Sequence, residues 1–289
     1  MEYLMTYGWA ILIIAIVLVA FFSLNLFNPY TFAPKASPGS CQILRPNGPG
    51  SNIFVSEVGL CTTNEIPQYV AGFDGTSSVV SILNMQPIFY QNSVSYTGWI
   101  DVTGFNSSNG VQEWWSNNEG SNAIGLQSYP NQYPGATSTH VALFDKVDSN
   151  NECDINGISM NKWYFIVEIM NSTTATLNVS GQTCSFSPGN ATVIQQSFTI
   201  GAYGPGAGGP GGDMFGYESN VQIYNTSLSS SQVSALYAEG IGGAPIDLQH
   251  LVGWWPLNGN SNDYSGNGNN GVPTGVTFTS SWENGYSTP

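Results

Sequence analysis

Charge is what this chain has least of. Of its 289 residues only 8% are Asp, Glu, Lys or Arg, against a usual ~25%. The shortage falls hardest on one sign. Four basic residues, Lys35, Arg45, Lys146 and Lys162, stand against 18 acids, for a formal net charge of −14. Four cations cannot neutralise a phosphate backbone, which disfavours a nucleic-acid partner. Solubility must come instead from Ser, Thr, Asn and Gly. Cysteine is scarce too: Cys41, Cys61, Cys153 and Cys184 stand far apart and no C-x-x-C occurs, which argues against zinc and thioredoxin-type chemistry. Catalytic patterns are also missing. The nearest approach to a glycosidase carboxyl pair is Glu152-Cys-Asp154, a stretch beside a cysteine that reads as structural. His140 and His250 stand apart from any Ser or Cys partner set. The tract GPGAGGPGG (204–212) lacks the Lys, the Ser/Thr and the following helix of a phosphate loop. Together these absences predict a protein that is not an enzyme and requires no cofactor.

What is present begins at the N-terminus. From Tyr3 to Pro34 no residue is charged, and the only charge before that tract is Glu2. Residues 9–27 are apolar apart from Ser23 and Asn25. At ~1.5 Å per residue they are long enough to cross ~30 Å of hydrocarbon, and Asn28-Pro29 supplies a stop. The tract predicts a helix over about residues 2–27, apolar all round, which must be buried in lipid or among other helices. A secretory signal peptide would need a basic start, a shorter apolar core and a small-x-small cleavage site. A plain signal anchor would show flanking Lys or Arg. A third reading, in which a basic leader has been removed by processing, accounts for a membrane-length tract with an acid at its start and no flanking Lys or Arg.

Met1-Glu2-Tyr3-Leu4-Met5-Thr6-Tyr7-Gly8-Trp9-Ala10, followed by an Ile/Val/Leu run, resembles the N-termini of archaeal type IV pilin-like proteins. In that family a prepilin peptidase cuts the leader. The chain waits in the membrane, and an assembly machinery packs its helix into a filament core. The family generally places its acid around the fifth mature residue, whereas here it is second. The resemblance implies a helical homopolymer on the cell surface, with Glu2, Trp9, Leu12, Ile14 and Val17 as assembly contacts. A carboxylate at a helix N-terminus is favoured by the macrodipole. In a dry core it also needs a cation, for which a neighbouring subunit's terminal amine is the candidate. The alternative is a solvated acid that only complements the dipole.

Residues 30–67 are rich in Pro, Gly and Ser and read as a connector, with a short strand at 52–58. The four cysteines allow three pairings. Cys41–Cys61 and Cys153–Cys184 close the shortest loops, the first pinning the connector; free buried thiols are the alternative. Five N-x-[ST] sequons, at Asn106, Asn171, Asn178, Asn190 and Asn225, are candidate glycosylation sites and fit an extracellular setting.

From residue 68 to 289 the chain is a series of short alternating runs separated by Gly, Asn and Ser. Strands are expected at 78–83, 95–102, 139–145, 163–170, 174–180, 196–202, 220–225 and 251–257. One helix interrupts at 229–240, capped by Ser229 with Gln232 and carrying Val233, Leu236 and Tyr237 on its apolar face. The fold class is therefore mainly β with one long N-terminal α-helix at 1–29: a jelly-roll or β-sandwich on a hydrophobic rod. The pieces YVAGFDGTSSVVSI, YTGWIDV, KWYFIVEIMNSTTATLNVSGQ, QSFTIGAYG, YESNVQIYNTSLSSSQVSALYAEG and LVGWWPLNGNSNDYSGNGNNGV resemble a laminin-G-like (concanavalin-type) domain. In the usual order the last piece comes first, so the resemblance implies a circular permutation; a truncated tandem copy is the alternative.

Two binding sites follow. The turn-rich segment 258–271 is full of side-chain oxygens suited to a hard cation such as Ca²⁺. Asp263 is the first ligand candidate there, and the family resemblance puts Glu218 where a second acid would stand. A Gly/Asn turn is polar without any metal. Trp114 and Trp115, set among Gln112, Asn117 and Asn118, read as an exposed pair for stacking on surface glycans, while Trp99, Trp163 and Trp254 read as core. The expected protein is an adhesive filament subunit. The alternatives are a membrane-anchored monomeric lectin and a filament of an archaellum-type motility apparatus.

Overall fold

The computed structural model describes residues 13–14, 41–46, 52–57, 66–83, 85, 88–89, 93–105, 112–116, 124–130, 138–145, 152–188, 194–195, 197–202 and 213–289. The chain divides into two compact units, Met1–Ser37 and Pro38–Pro289. In the first, Ile13 and Ile14 are helical and 56% and 59% exposed. The rest of the helix expected over 2–27, with Glu2, Trp9, Leu12 and Val17, lies outside the described residues. Among the described residues no helix is long and apolar enough to cross a membrane.

The strands of the second unit are β1 (Cys41–Pro46), β2 (Asn52–Glu57), β3 (Val70–Asp74), β4 (Val79–Ile82), β5 (Ile88–Phe89), β6 (Val94–Val102), β7 (Gln112–Ser116), β8 (Ile124–Pro130), β9 (Ser138–Asp145) and β10 (Glu152–Ser159). They continue with β11 (Trp163–Met170), β12 (Ala175–Val179), β13 (Gln182–Phe186), β14 (Ile194–Gln195), β15 (Phe198–Ile200) and β16 (Phe215–Tyr224). The helix α1 (Ser230–Glu239) follows, then β17 (Leu251–Trp255), β18 (Val272–Thr274) and β19 (Thr277–Thr279). The connector carries the antiparallel pair β1–β2, so it holds a hairpin where one strand was expected.

Two large antiparallel sheets make the sandwich. One runs β13-β12-β11-β6-β16-β3-β19, with β17 also on β16; the other runs β10-β9-β8-β7-β15-β4-β18. The long strand β16 is shared end to end. Its residues 215–218 pair with β3 and its residues 221–224 with β17. The segment that is last in sequence thus lies in line with the first strand of the sandwich. Between the two halves of β16 the ladder shifts register, and Asn220 takes a left-handed conformation (φ 55°). Such a bulge re-aims a side chain. Asn220 donates to the Gly243 carbonyl and accepts from the Trp254 indole and the Gln222 amide.

The first sheet is covered on both faces, which explains why β11 reads as an almost unbroken apolar run. Ile166 and Met170 join Tyr96, Ile100, Phe198, Val221 and Trp255 in the core between the sheets. Trp163, Phe165 and Val167 point the other way, into a second cluster with Trp99, Leu228, Leu236, Trp254 and Trp282. Helix α1 and the last residues of the chain cover that outer cluster. Ser229 and Gln232 form the expected capping box, the Tyr286 hydroxyl accepts from the Ile241 N–H, and Trp282 meets Trp163 edge-on at 5.8 Å.

Open sheet edges invite unwanted pairing, and this sandwich joins its sheets on both sides. On one side Cys153 in β10 and Cys184 in β13 form a disulfide with Cα atoms 5.8 Å apart, as the short-loop pairing anticipated. For a separation of 31 residues, chain-entropy arguments give about 3–4 kcal/mol of stabilisation. Cys61 lies outside the described residues. On the other side β18 pairs with β4 in one sheet and β19 with β3 in the other. One short segment, residues 272–279, therefore bridges both layers.

Close packing of the layers turns on Gly98. A Cβ at that position would lie 2.7 Å from the Trp115 ring and 3.4 Å from Val221. Gly98→Val is expected to cost about 1–3 kcal/mol by overpacking, read as a lower urea midpoint at unchanged slope. An unchanged midpoint would show that the sheets separate freely there.

Candidate functional site

The Trp114–Trp115 pair does not present a face to solvent. The two residues are 1% and 2% exposed and both belong to the core between the sheets. The reason is a register shift between Glu113 and Trp115 in the β7–β8 ladder. It breaks the strict in-out alternation of a strand and lets consecutive indoles enter the same core. The polar neighbour that suggested exposure is itself folded in: Gln112 is buried, accepting from the Phe215 N–H through its side chain. Asn117 and Asn118 lie outside the described residues.

The proposed calcium ligands do not fit a shared cation. Asp263 is 2% exposed, and its two oxygens accept from the backbone N–H groups of Trp254, Ser265 and Asn269 and from the Ser265 hydroxyl. Four donors turn their positive ends toward the carboxylate, where a metal would have to sit. Asp263 is the tie that organises residues 258–271, aided by the Asn270 amide oxygen on its own N–H. Glu218 is fully buried against the core and accepts from the Trp115 indole at 2.9 Å. Burial pushes its carboxyl well above the usual range, while the hydrogen bond from the Trp115 N–H pulls the other way. Among the described residues no group of three or more His, Cys, Asp and Glu could hold a metal.

Other candidates resolve into structure. Cys153 is in the disulfide and Asp154 is an exposed residue of the same edge strand. His250 pairs through Nδ1 with Asp247 at 3.0 Å. His140 sits in β9 opposite Tyr129. Asn106 and Asn190, and residues 204–212, lie outside the described residues. Of the remaining sequons, Asn171 organises a turn through its Oδ1, which accepts from Thr173 and Thr174. Asn225 is exposed. Asn178 has a different setting.

Asn178 lies on the outward side of β12, facing α1. With Ser180, Gly181, Phe165, Val233, Ser234 and Tyr237 it lines a half-open groove of 160 Å³ between the helix and the β12–β13 turn. A drug-sized ligand needs about 300 Å³ or more, so this groove has room for roughly one ring. Its floor is aromatic. Tyr237 is 38% exposed, stacks on Trp99 at 5.8 Å and 15°, and lies 6.0 Å from Phe165. Its walls are neutral hydrogen-bonding groups: one amide and two hydroxyls. The turn is a two-residue hairpin with both φ angles positive (Ser180 46°, Gly181 94°), the geometry that matches strand twist. It is held by Gly181 N–H donating to Asn178 Oδ1 at 2.8 Å and Phe165 N–H donating to the Ser180 hydroxyl at 3.1 Å. No carboxyl, cation or imidazole is among the described residues that line it. An aromatic surface rimmed by uncharged donors and acceptors suits a neutral saccharide ring, whose C–H face packs on the aromatic group while its hydroxyls reach the rim.

Neither a protein-family model nor a curated protein sequence matches the chain. Solved structures do. A native heptameric SAP-like pentraxin from Limulus polyphemus superimposes at a TM-score of 0.53 with 14% identity, over 73% of this chain and 94% of that one. A putative carbohydrate binding protein from Bacteroides ovatus superimposes at 0.54 with 17% identity, over 79% of this chain and 66% of that one. Domains LG4-5 of the mouse laminin α1 chain align at 0.40 with 12% identity, over 63% and 47% of the two chains. The fold is a pentraxin-like sandwich. The expected concanavalin-type β-sandwich is thereby found. The long N-terminal helix of the expected fold class lies, but for Ile13 and Ile14, outside the described residues.

Within this sandwich the acids are unusually buried. Burial pushes Glu168, between the sheets opposite Tyr96 and Leu177, up to about 8. Burial raises Asp101 to about 7 against the pull of the Lys162 backbone N–H. Burial, with the Asp74 carboxylate nearby, raises Asp213 to about 6. Asp74 goes the other way. Burial works to raise it, but hydrogen bonds from Ser77, Thr76 and Ser78 win and hold it well below the carboxylate range. The raised carboxyls bind their protons more tightly in the folded chain than in the unfolded one. Between an ordinary carboxyl value of ~4 and about 8, stability therefore falls as pH rises; the Asp74 contribution is lost only below ~4. Urea midpoints are expected to be highest near pH ~4–5 and to decline to pH ~8, and Glu168→Gln should flatten that decline. Midpoints that climb through this window would contradict the assignment.

Proposed function

We propose that the chain is a non-enzymatic structural subunit of an extracellular, type IV pilus-like filament of archaeal kind. Its sandwich displays a saccharide-binding groove to the outside. The observation that carries the binding half is the groove at Tyr237: a one-ring seat with an aromatic floor and a neutral rim of amide and hydroxyl groups. The fold agrees with such a role, since a putative carbohydrate binding protein shares it. A disulfide across the two sheets suits an oxidising, secreted or surface setting.

The filament half is supported by the uncharged tract from Tyr3 to Pro34 behind Glu2. That tract must be sheltered somewhere, and copies of itself provide shelter once a membrane-inserted precursor has been cut by a peptidase and passed to an assembly machinery. Heterologous contacts that do not close into a ring then generate a helical polymer. Glu2, Trp9, Leu12, Ile14 and Val17 are the contacts assigned to that core. No cofactor and no nucleic acid enters this scheme.

Shearing cells that produce the chain should release long particles, and Glu2→Ala should reduce their yield while the sandwich stays folded. Micelle-sized particles alone would favour an anchored monomer. Sheared material should bind immobilised neutral hexosides, and Tyr237→Ala should weaken that binding about threefold to tenfold, the worth of one aromatic contact. Binding unchanged by Tyr237→Ala would remove the groove from the account.

A further inference from the structure

The groove has an unusual wall. Asn178 lines it and is also the acceptor residue of the sequon Asn178-Val179-Ser180. Its amide is oriented rather than free to turn, because Oδ1 accepts the Gly181 N–H at 2.8 Å. Among the described residues its Nδ2, the atom to which a sugar attaches, donates to no partner. The neighbouring sequons lack this setting: neither Asn171 nor Asn225 lines the groove.

We propose that Asn178 carries an N-linked glycan whose first sugar ring occupies the groove against Tyr237, closing it to sugars from outside. The proposal rests on the reading of the groove as a saccharide seat and names a ring that sits there. Native material then binds hexosides through its unmodified subunits while the modified ones are closed, so the modification gates the site.

The chemistry needs one co-reactant, a lipid-phosphate-linked oligosaccharide. Asn178 Nδ2 forms a bond to the anomeric carbon, the bond from that carbon to the phosphate oxygen breaks, and the lipid phosphate departs with the electron pair. One amide proton passes to the transferase, and nothing is oxidised or reduced. In the folded hairpin the Ser180 hydroxyl oxygen accepts from the Phe165 N–H, and its own proton stays available as a donor. Once the hairpin forms, the first ring is tethered within one bond of the groove wall. Its effective concentration there reaches the millimolar range or above, and the volume leaves no space for a second ring.

The test uses full-length chain purified from its own cells, with Asn178→Gln and Ser180→Ala as two independent ways to remove the sequon. Glycopeptide mass spectrometry across residues 163–188 should find a hexose-containing adduct on Asn178. Hydroxyl-radical footprinting should then show Tyr237 protected in the modified wild type and about tenfold more reactive in both variants, while Tyr264 is unchanged. Binding to immobilised neutral hexosides should rise about tenfold in the variants. A bare Asn178 in native material overturns the proposal, and so does Tyr237 reactivity that ignores removal of the glycan. If Asn178 is bare and Tyr237→Ala still weakens hexoside binding, the adhesion reading survives and this proposal falls. If Tyr237 is protected only in modified chain but no variant binds hexosides, the seated glycan stands and the adhesion reading falls.

Discussion

Two sheets that bury their inner faces against each other must be held in register on all sides, and this constraint governs the rest of the molecule. The core supplies the attraction. Its packing is set by Trp115 lying over the bare backbone of Gly98 and reaching through to Glu218. The flanks supply the alignment, one through a covalent bond between β10 and β13 and the other through the consecutive strands β18 and β19, which pair into different layers. With both flanks tied, neither sheet can slide, and buried polar groups such as Glu218 can be kept in single positions.

The second cluster, outside the first sheet, is what makes a groove available at all. Strand β11 has apolar residues on both faces, so its outer side must be covered by something other than the opposite sheet. Helix α1 and the C-terminal residues do this, and Tyr237 is stacked against Trp99 in the process. The helix does not extend over the β12–β13 turn. The shortfall between helix and turn is the groove, bounded by a hairpin whose turn is pinned by its own side chains.

Period-two runs and turn residues were enough to recognise the sandwich. Strand β11 was anticipated at its observed limits and the α1 cap at its observed residues, because these signals are local. The misses come from non-local effects. Strand β16 starts well before residue 220 because Gly216 and Glu218 look like loop residues until a partner indole accounts for the acid. Trp114 and Trp115 looked exposed because a register shift that buries both leaves no mark in the composition. The loop carboxylate of Asp263 looked like a cation ligand because a ligand cage and a backbone-donor cage use the same residue types; only the direction of the donors separates them. The groove itself was half legible. Asn178 stood out as a sequon and Tyr237 as part of a helix face, but their meeting depends on how α1 crosses the sheet.

The bond between Cys153 and Cys184 also has a mechanical meaning. When force is applied to the ends of the chain, the path of load passes directly from one cysteine to the other. The 31-residue span between them is withheld from extension, which shortens the length that can be drawn out by roughly 100 Å. Strands β11 and β12 lie within that span, and the groove wall they carry stays shielded from tension even when the remainder of the sandwich is pulled apart.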